Sequence, residues 1–190
     1  MPKKRTCTLS IAGFDPSGGA GLLADIKTFE QHKVLGMGAN TGNTFQNDSE
    51  FEGVAWTPIQ EIQQQIDVLC KKFHFDFIKI GMIKDIDTLQ ILLKFIKTKN
   101  PKAKIIWDPI IKASAGFEIH ASVEKEMLNS ILKNIYLVTP NLDEIKFLAG
   151  DDDEIKSAKE FSKYCNVFLK GGHATKPVSY THLTLPTNRE

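Results

Sequence analysis

Seven of the nine residues from Gly13 to Gly21 are glycine, aspartate, proline or serine, and no regular element runs through such a stretch. Before it, Leu9, Ile11 and Ala12 suit a short buried strand. After it, from Ala20 onward, Leu22, Leu23, Ile26 and Phe29 recur at helical spacing. The chain is thereby committed to strand, glycine-rich loop and helix, the unit with which open α/β sheets build sites at their strand ends. A helix start also turns unpaired backbone N–H groups toward the loop, which favours anions and polar ligands.

The rest of the chain alternates strand and helix with short connections, which predicts a mainly parallel sheet. Strands are expected at 36–44, 75–80, 104–108, 135–139 and 166–170, with a short edge strand at 51–56. The spacing of Ile59, Ile62, Ile66 and Leu69 predicts a helix, opened by a Thr57/Gln60 capping box with Pro58 at its first position. Ile86, Leu89, Leu92, Leu93 and Ile96 mark the next helix, ending near Asn100 and Pro101. A loop with Ser114 and Gly116 follows, and Ser122 suits the cap of a helix carrying Val123, Met127 and Ile131. Asn141 opens a helix to Leu148, and 155–161 is helical again.

Composition removes several functional classes. A formal charge of +1 in 190 residues leaves no electrostatic footprint for nucleic acid or an anionic membrane. No apolar run reaches the ~20 residues of a spanning helix. Lys3, Lys4 and Arg5 precede an apolar stretch broken at once by Gly13, Asp15 and Pro16, so no export signal is read. Cys7, Cys70 and Cys165 have neither metal nor disulfide-framework spacing. His32, His74, His120, His173 and His182 are scattered without metal spacing. One cytoplasmic domain is the expectation.

Asp15, Gln46, Met82 after Gly81, Asp108, Asn141 and Lys170 fall where strands end, and in a parallel sheet those ends share one edge. Each has a plain structural reading beside the functional one. Asp25 early on its helix complements the helix dipole or contacts a ligand. Asn141 and Glu144 have capping-box spacing, which accounts for the pair without chemistry. Asp108 before Pro109 is turn chemistry or a carboxylate for magnesium. Lys170 before two glycines is solvated or faces a phosphate. Gly19, Gly21 and Ala24 match the G-x-G-x-x-A of dinucleotide enzymes, but no acid closes the next strand. The loop is not a Walker motif, since Gly18 is followed by Gly19 where lysine is required.

The ordered blocks SIAGFDPSGGAGLLADIKTF, NTFQND, IKIGM, WDPII, TPNLDE and LKGGH together resemble the hydroxymethylpyrimidine/phosphomethylpyrimidine kinases of thiamine biosynthesis, in the ribokinase superfamily. The resemblance implies a three-layer α/β/α fold with a mainly parallel sheet, incomplete at the C-terminus. It implies ATP and Mg2+, and phosphorylation of a pyrimidine alcohol and then of its monophosphate. It places Gly13, Asp25, Thr44, Gln46, Met82 and Ile110 at the pyrimidine. It places Asp108, Asn141, Glu144 and Lys170 on the nucleotide side, with Asp108 and Glu144 nearest magnesium. Phe14 stands where the family usually has a small polar residue.

The family's glycine-rich G-T-G-C segment, with its anion hole and base, is not found after His173, so no catalytic base is assigned and the 190-residue chain is expected to turn over little or not at all. Residues 1–176 are read as the partial kinase domain. PVSYTHLTLPTNRE, 177–190, resembles translated sequencing-adapter DNA and is expected to be foreign; the alternative is an edge strand at 180–185 beside 166–170. A non-catalytic pyrimidine- or nucleotide-binding fragment, a vitamin B6 kinase and, remotely, a dinucleotide-dependent oxidoreductase are the alternatives in function. A homodimer is left open.

Overall fold

The computed structural model describes residues 5–111, 123–171 and 181–183. Their elements are β1 (Cys7–Phe14), α1 (Gly21–Gln31), β2 (Leu35–Gln46), β3 (Phe51–Trp56), α2 (Ile59–Cys70), β4 (Phe77–Ile80) and α3 (Ile86–Lys99). Then come β5 (Lys104–Trp107), α4 (Lys125–Leu132), β6 (Leu137–Val138), α5 (Leu142–Ala149), α6 (Glu154–Phe161), β7 (Asn166–Leu169) and β8 (Thr181–Leu183). One sheet has the order β3-β2-β1-β4-β5-β6-β7-β8. Its strands are parallel except for the two edges, where β3 runs against β2 and β8 against β7. Thr181–Leu183 thus forms the edge strand named above as the alternative for this segment. Ser114, Gly116, Ser122, His120 and His173 lie outside the described residues.

Period-two burial in β4, β5 and β7 splits the sheet into two unlike faces, while β1 is buried on both. Leu9, Ile11, Ile78, Ile80, Ile105, Trp107, Val138, Val167 and Leu169 are at most 3% exposed. They form one core with the apolar stripes of α2 to α6. The other face has only α1 among the described helices: a side chain on Gly36 or Gly38 of β2 would run into Phe29, Ile26 or Leu22. The α/β/α layering is therefore complete on one face. On the other, Phe77, Ile106 and Leu137 stay half-buried. Lys104 spans this open face with its ammonium 4.6 Å from the Tyr136 ring and 5.8 Å from that of Phe77.

Element starts follow local chemistry, with two departures from expectation. α2 begins at Ile59 with Pro58 as its N-cap and no side-chain cap, not with a Thr57/Gln60 box. The Thr57 N–H is held by Thr41 O at 3.0 Å, so the chain is still tied to the sheet and the helix turns later. α4 starts at Lys125 after Glu124, leaving Val123 ahead of the helix. The apolar residues of α1 are none of them fully buried, and no other described helix packs on that face of the sheet. α3 is capped by Asp85, which accepts from Thr88 N.

α5 has the capping box that the sequence predicts: Asn141 Oδ1 accepts from Glu144 N at 2.8 Å and Glu144 Oε2 from Asn141 N at 2.7 Å. Glu144 is 9% exposed. Burial pushes its carboxyl up to about 7, against the Asn141 N–H and the Lys170 charge, which pull it down.

Gly18, Gly21 and Gly150 hold left-handed backbone, the last two for different reasons. Gly21 has φ +59°, and a Cβ there would stand 2.1 Å from Gly13 O; Gly150, the C-cap of α5, has φ +64° with open space around it. Gly150→Ala should cost about 1 kcal/mol and Gly21→Ala at least about 2 kcal/mol, measured by urea unfolding. Glu144 is protonated in the fold and ionised in the unfolded chain between pH 4.5 and 7, so its contribution to stability falls as pH rises through that window and is flat above it. Relative to Glu144→Gln, the wild-type unfolding free energy should drop by up to about 3 kcal/mol from pH 4.5 to 7; parallel curves would refute this.

Candidate functional site

The main-chain ladder runs one residue past the strands and carries the polar residues to a common edge. Gly81 N donates to Ile11 O at 2.9 Å, Asp108 N to Ile80 O at 2.8 Å, Thr139 N to Trp107 O at 2.9 Å and Lys170 N to Pro140 O at 2.8 Å. β1 leaves the sheet through a register shift against β2 between Ala12 and Phe14, which turns the loop across this edge.

In that loop Asp15 is 4% exposed and its side chain ties down most of the turn. Its carboxylate accepts from Ser17 N and Ser17 Oγ, each at 2.8 Å, and from Gly19 N at 3.1 Å and Ala20 N at 2.9 Å. Burial works against its ionisation, but these donors and the Gln46 side chain outweigh it and hold the carboxyl below the usual aspartate range. Gln46, at the end of β2, is therefore beside the glycine loop.

Five of the six expected pyrimidine-side residues gather around the strand ends. Met82 is 8% exposed, and its methyl would be 2.2 Å from a Cβ on Gly13. Thr41 Oγ1 donates to Met82 O at 2.6 Å. Ile110 borders Gly81, whose Cβ would lie 4.0 Å from Ile110 Cδ1. Thr44 Oγ1 donates to Phe14 O at 2.9 Å, so Phe14 contributes its carbonyl here while its ring is 37% exposed. Gln46 and Thr44 also border an open cavity of about 320 Å³ with Pro16, Phe45, Asn47, Glu50 and Glu52. Asp25, the remaining residue of the six, is already engaged: Ser10 Oγ donates to its Oδ2 and Lys79 Nζ to its Oδ1, both at 2.6 Å. No acid lies in the first turn of α1, so the helix-dipole reading of Asp25 fails.

All four residues expected on the nucleotide side meet. Asp108 Oδ1 accepts from Thr139 Oγ1 at 3.0 Å and from Lys170 Nζ at 2.7 Å, and Lys170 is 3.9 Å from Glu144 Oε2. Asn141 joins through its capping box and a bridge to Lys170. Among the described residues no three His, Cys, Asp or Glu side chains are placed to hold a metal. Asp108 has one oxygen occupied, and Glu144 is both capped and only half ionised near pH 7. This donor set fits a magnesium ion that arrives on a polyphosphate and takes one protein carboxylate, the usual mode for that ion.

Ser10, Thr139 and Lys79 were not anticipated. A lysine between Ile78 and Ile80 in a central parallel strand was the available signal, because such strands are otherwise apolar runs.

The phosphomethylpyrimidine kinase family model matches residues 15–189. The hydroxymethylpyrimidine/phosphomethylpyrimidine kinase of Aquifex aeolicus is 33% identical over 176 residues, 87% of this chain and 68% of that one. The Bacillus subtilis enzyme of the same name is 33% identical over 183 residues, 92% of this chain and 67% of that one. The chain thus spans about two thirds of the length of these relatives. The crystal structure of phosphomethylpyrimidine kinase from Clostridium difficile superposes with a TM-score of 0.77 at 27% identity, covering 95% of this chain and 84% of that one. A pyridoxal kinase from Staphylococcus aureus in complex with pyridoxal shares the fold, with a TM-score of 0.77 at 24% identity over 94% of this chain and 68% of that one. With the glycine loop, the strand-end cluster and the Asp108–Lys170–Glu144 group on one sheet edge, and the match running through most of the chain, the protein belongs to the phosphomethylpyrimidine kinase family.

Proposed function

We propose that the protein transfers a phosphoryl group from ATP to 4-amino-5-hydroxymethyl-2-methylpyrimidine and to its monophosphate, in thiamine biosynthesis. The observation that carries this reading is the adjacency, on one edge, of a small apolar and amide-bearing cluster and an alternating chain of acids and lysines. The Gln46 amide both donates and accepts, which matches the amino group and ring nitrogen of an aminopyrimidine. Met82 and Ile110 offer apolar contact to the ring. Lys170 is placed to move from Asp108 to a nucleotide phosphate, and Asp108 so released would hold magnesium, which spreads the phosphate charge.

The same proposal includes slow turnover by the 190-residue chain alone. It is supported by the α1-side face of the sheet, which among the described helices only α1 covers. The same reading takes 177–190 as foreign to the kinase domain, with the short β8 pairing adding little to the fold: deleting that segment should leave the urea midpoint nearly unchanged, and a large fall would make β8 an integral part of the sheet.

The direct test is calorimetric titration with the aminopyrimidine alcohol, with pyridoxal in parallel. Gln46→Leu should weaken pyrimidine binding by about 1–3 kcal/mol, since one polar edge of the ligand is left unpaired. Unchanged affinity would remove Gln46 from the site, and tighter binding of pyridoxal would replace the substrate class. An ADP-release assay on the same samples checks turnover.

A further inference from the structure

Lys79 stands between the two halves of this edge. Its ammonium is 2.6 Å from Asp25 Oδ1 and 3.9 Å from Asp108 Oδ2. Lys170 is 2.7 Å from the other oxygen of Asp108 and 3.9 Å from Glu144. Signs alternate along Asp25, Lys79, Asp108, Lys170 and Glu144, and the five side chains are between 11% and 32% exposed, so water and salt screen them incompletely. The strand register fixes the lysine in place: Lys79 lies beside Ser10 of β1 and Ile106 of β5. Ser10 in turn anchors Asp25 through its other oxygen at 2.6 Å.

We propose that Lys79 is a positioning residue through which Asp25 and Asp108 respond to each other, so that the pyrimidine side and the nucleotide side fill as a coupled pair. The ammonium is a point charge with three donors on a flexible stem. A movement of about 1 Å brings it to hydrogen-bond distance of Asp108. When a phosphate draws Lys170 away, Asp108 keeps Thr139 and the approaching Lys79. Asp25 then keeps Ser10, and its Oδ1 becomes free to accept a proton donor of the pyrimidine. By linkage, a pyrimidine on Asp25 drives Lys79 toward Asp108 and loosens Lys170 for phosphate. A lysine that merely neutralised Asp25 would leave Asp25 indifferent to Asp108. The pyrimidine and phosphate assignments rest on the proposed function; the ion chain does not.

The experiment measures the dissociation constant of the aminopyrimidine alcohol, without nucleotide, for the full chain and for Asp108→Asn, each with Lys79 intact and with Lys79→Met. Asp108→Asn should change the affinity at least about threefold when Lys79 is present, and leave it unchanged in the Lys79→Met background. Equal effects in both backgrounds, or none in either, overturn the proposal. If the wild-type chain takes up no pyrimidine, the kinase reading of this chain fails, and urea unfolding decides the coupling alone. The effects of Asp25→Asn and Asp108→Asn on the unfolding constant should then depart from independence by at least about threefold with Lys79 present, and be independent in Lys79→Met. Independence in both backgrounds refutes it. Lys79→Gln replaces Lys79→Met in either arm if that variant does not fold.

Discussion

The Asp15 carboxylate is the interaction on which the edge depends. α1 has no side-chain cap of its own, and Asp15 instead gathers the amides of Ser17, Gly19 and Ala20 ahead of it. Without that anion these three N–H groups, on exposed residues, would turn to water and the loop would lose the contacts that close it. Its closure sets where α1 begins, and the start of α1 sets where Asp25 reaches Ser10 and Lys79. The carbonyl of Gly13, pressed against Gly21 on the other side of the loop, allows no looser path. One charged side chain thus positions a helix, and the helix positions a second charged side chain over the sheet.

The inequality of the two sheet faces has an energetic counterpart. One face holds the large side chains, Trp107 and Phe75 among them, in a core shared with five helices. The other is polar at its centre, where Ser10, Asp25 and Lys79 lie. Burying a charge is tolerable only when it is paired and hydrogen-bonded, and each of these groups is. The Ser10–Asp25–Lys79 group and the apolar core are back to back, separated by the thickness of one sheet, and β1 and β4 supply alternate residues to both.

Much of this was legible in the residues. The glycine cluster, the Asn141/Glu144 box and the period-two strands fix their elements through short-range chemistry, and the order of strands and helices was readable for that reason. The Thr57/Gln60 box was read with equal local logic and did not form, because a main-chain bond from Thr57 to Thr41 is a long-range contact that no window of sequence contains. The same limit hid the partners of Asp25. Its spacing allowed a dipole or a ligand, whereas the structure gives it Ser10, 15 residues away, and Lys79, 54 residues away. The site residues assigned through resemblance do gather at one edge, but which of them already satisfy one another depends on strand register.

The strand order also carries a consequence for how the chain is made. β1 pairs on one side with β2 and on the other with β4, and β5, β6 and β7 then add outward in the order of synthesis. Gly13, Thr44, Gln46, Met82 and the Asp25–Lys79 pair all belong to the first 82 residues. Asp108, Glu144 and Lys170 emerge later and join an edge that the earlier strands already define. A ribosome releasing this chain can complete the half of the cleft proposed for the pyrimidine, apart from Ile110, while the half proposed for the nucleotide is still untranslated.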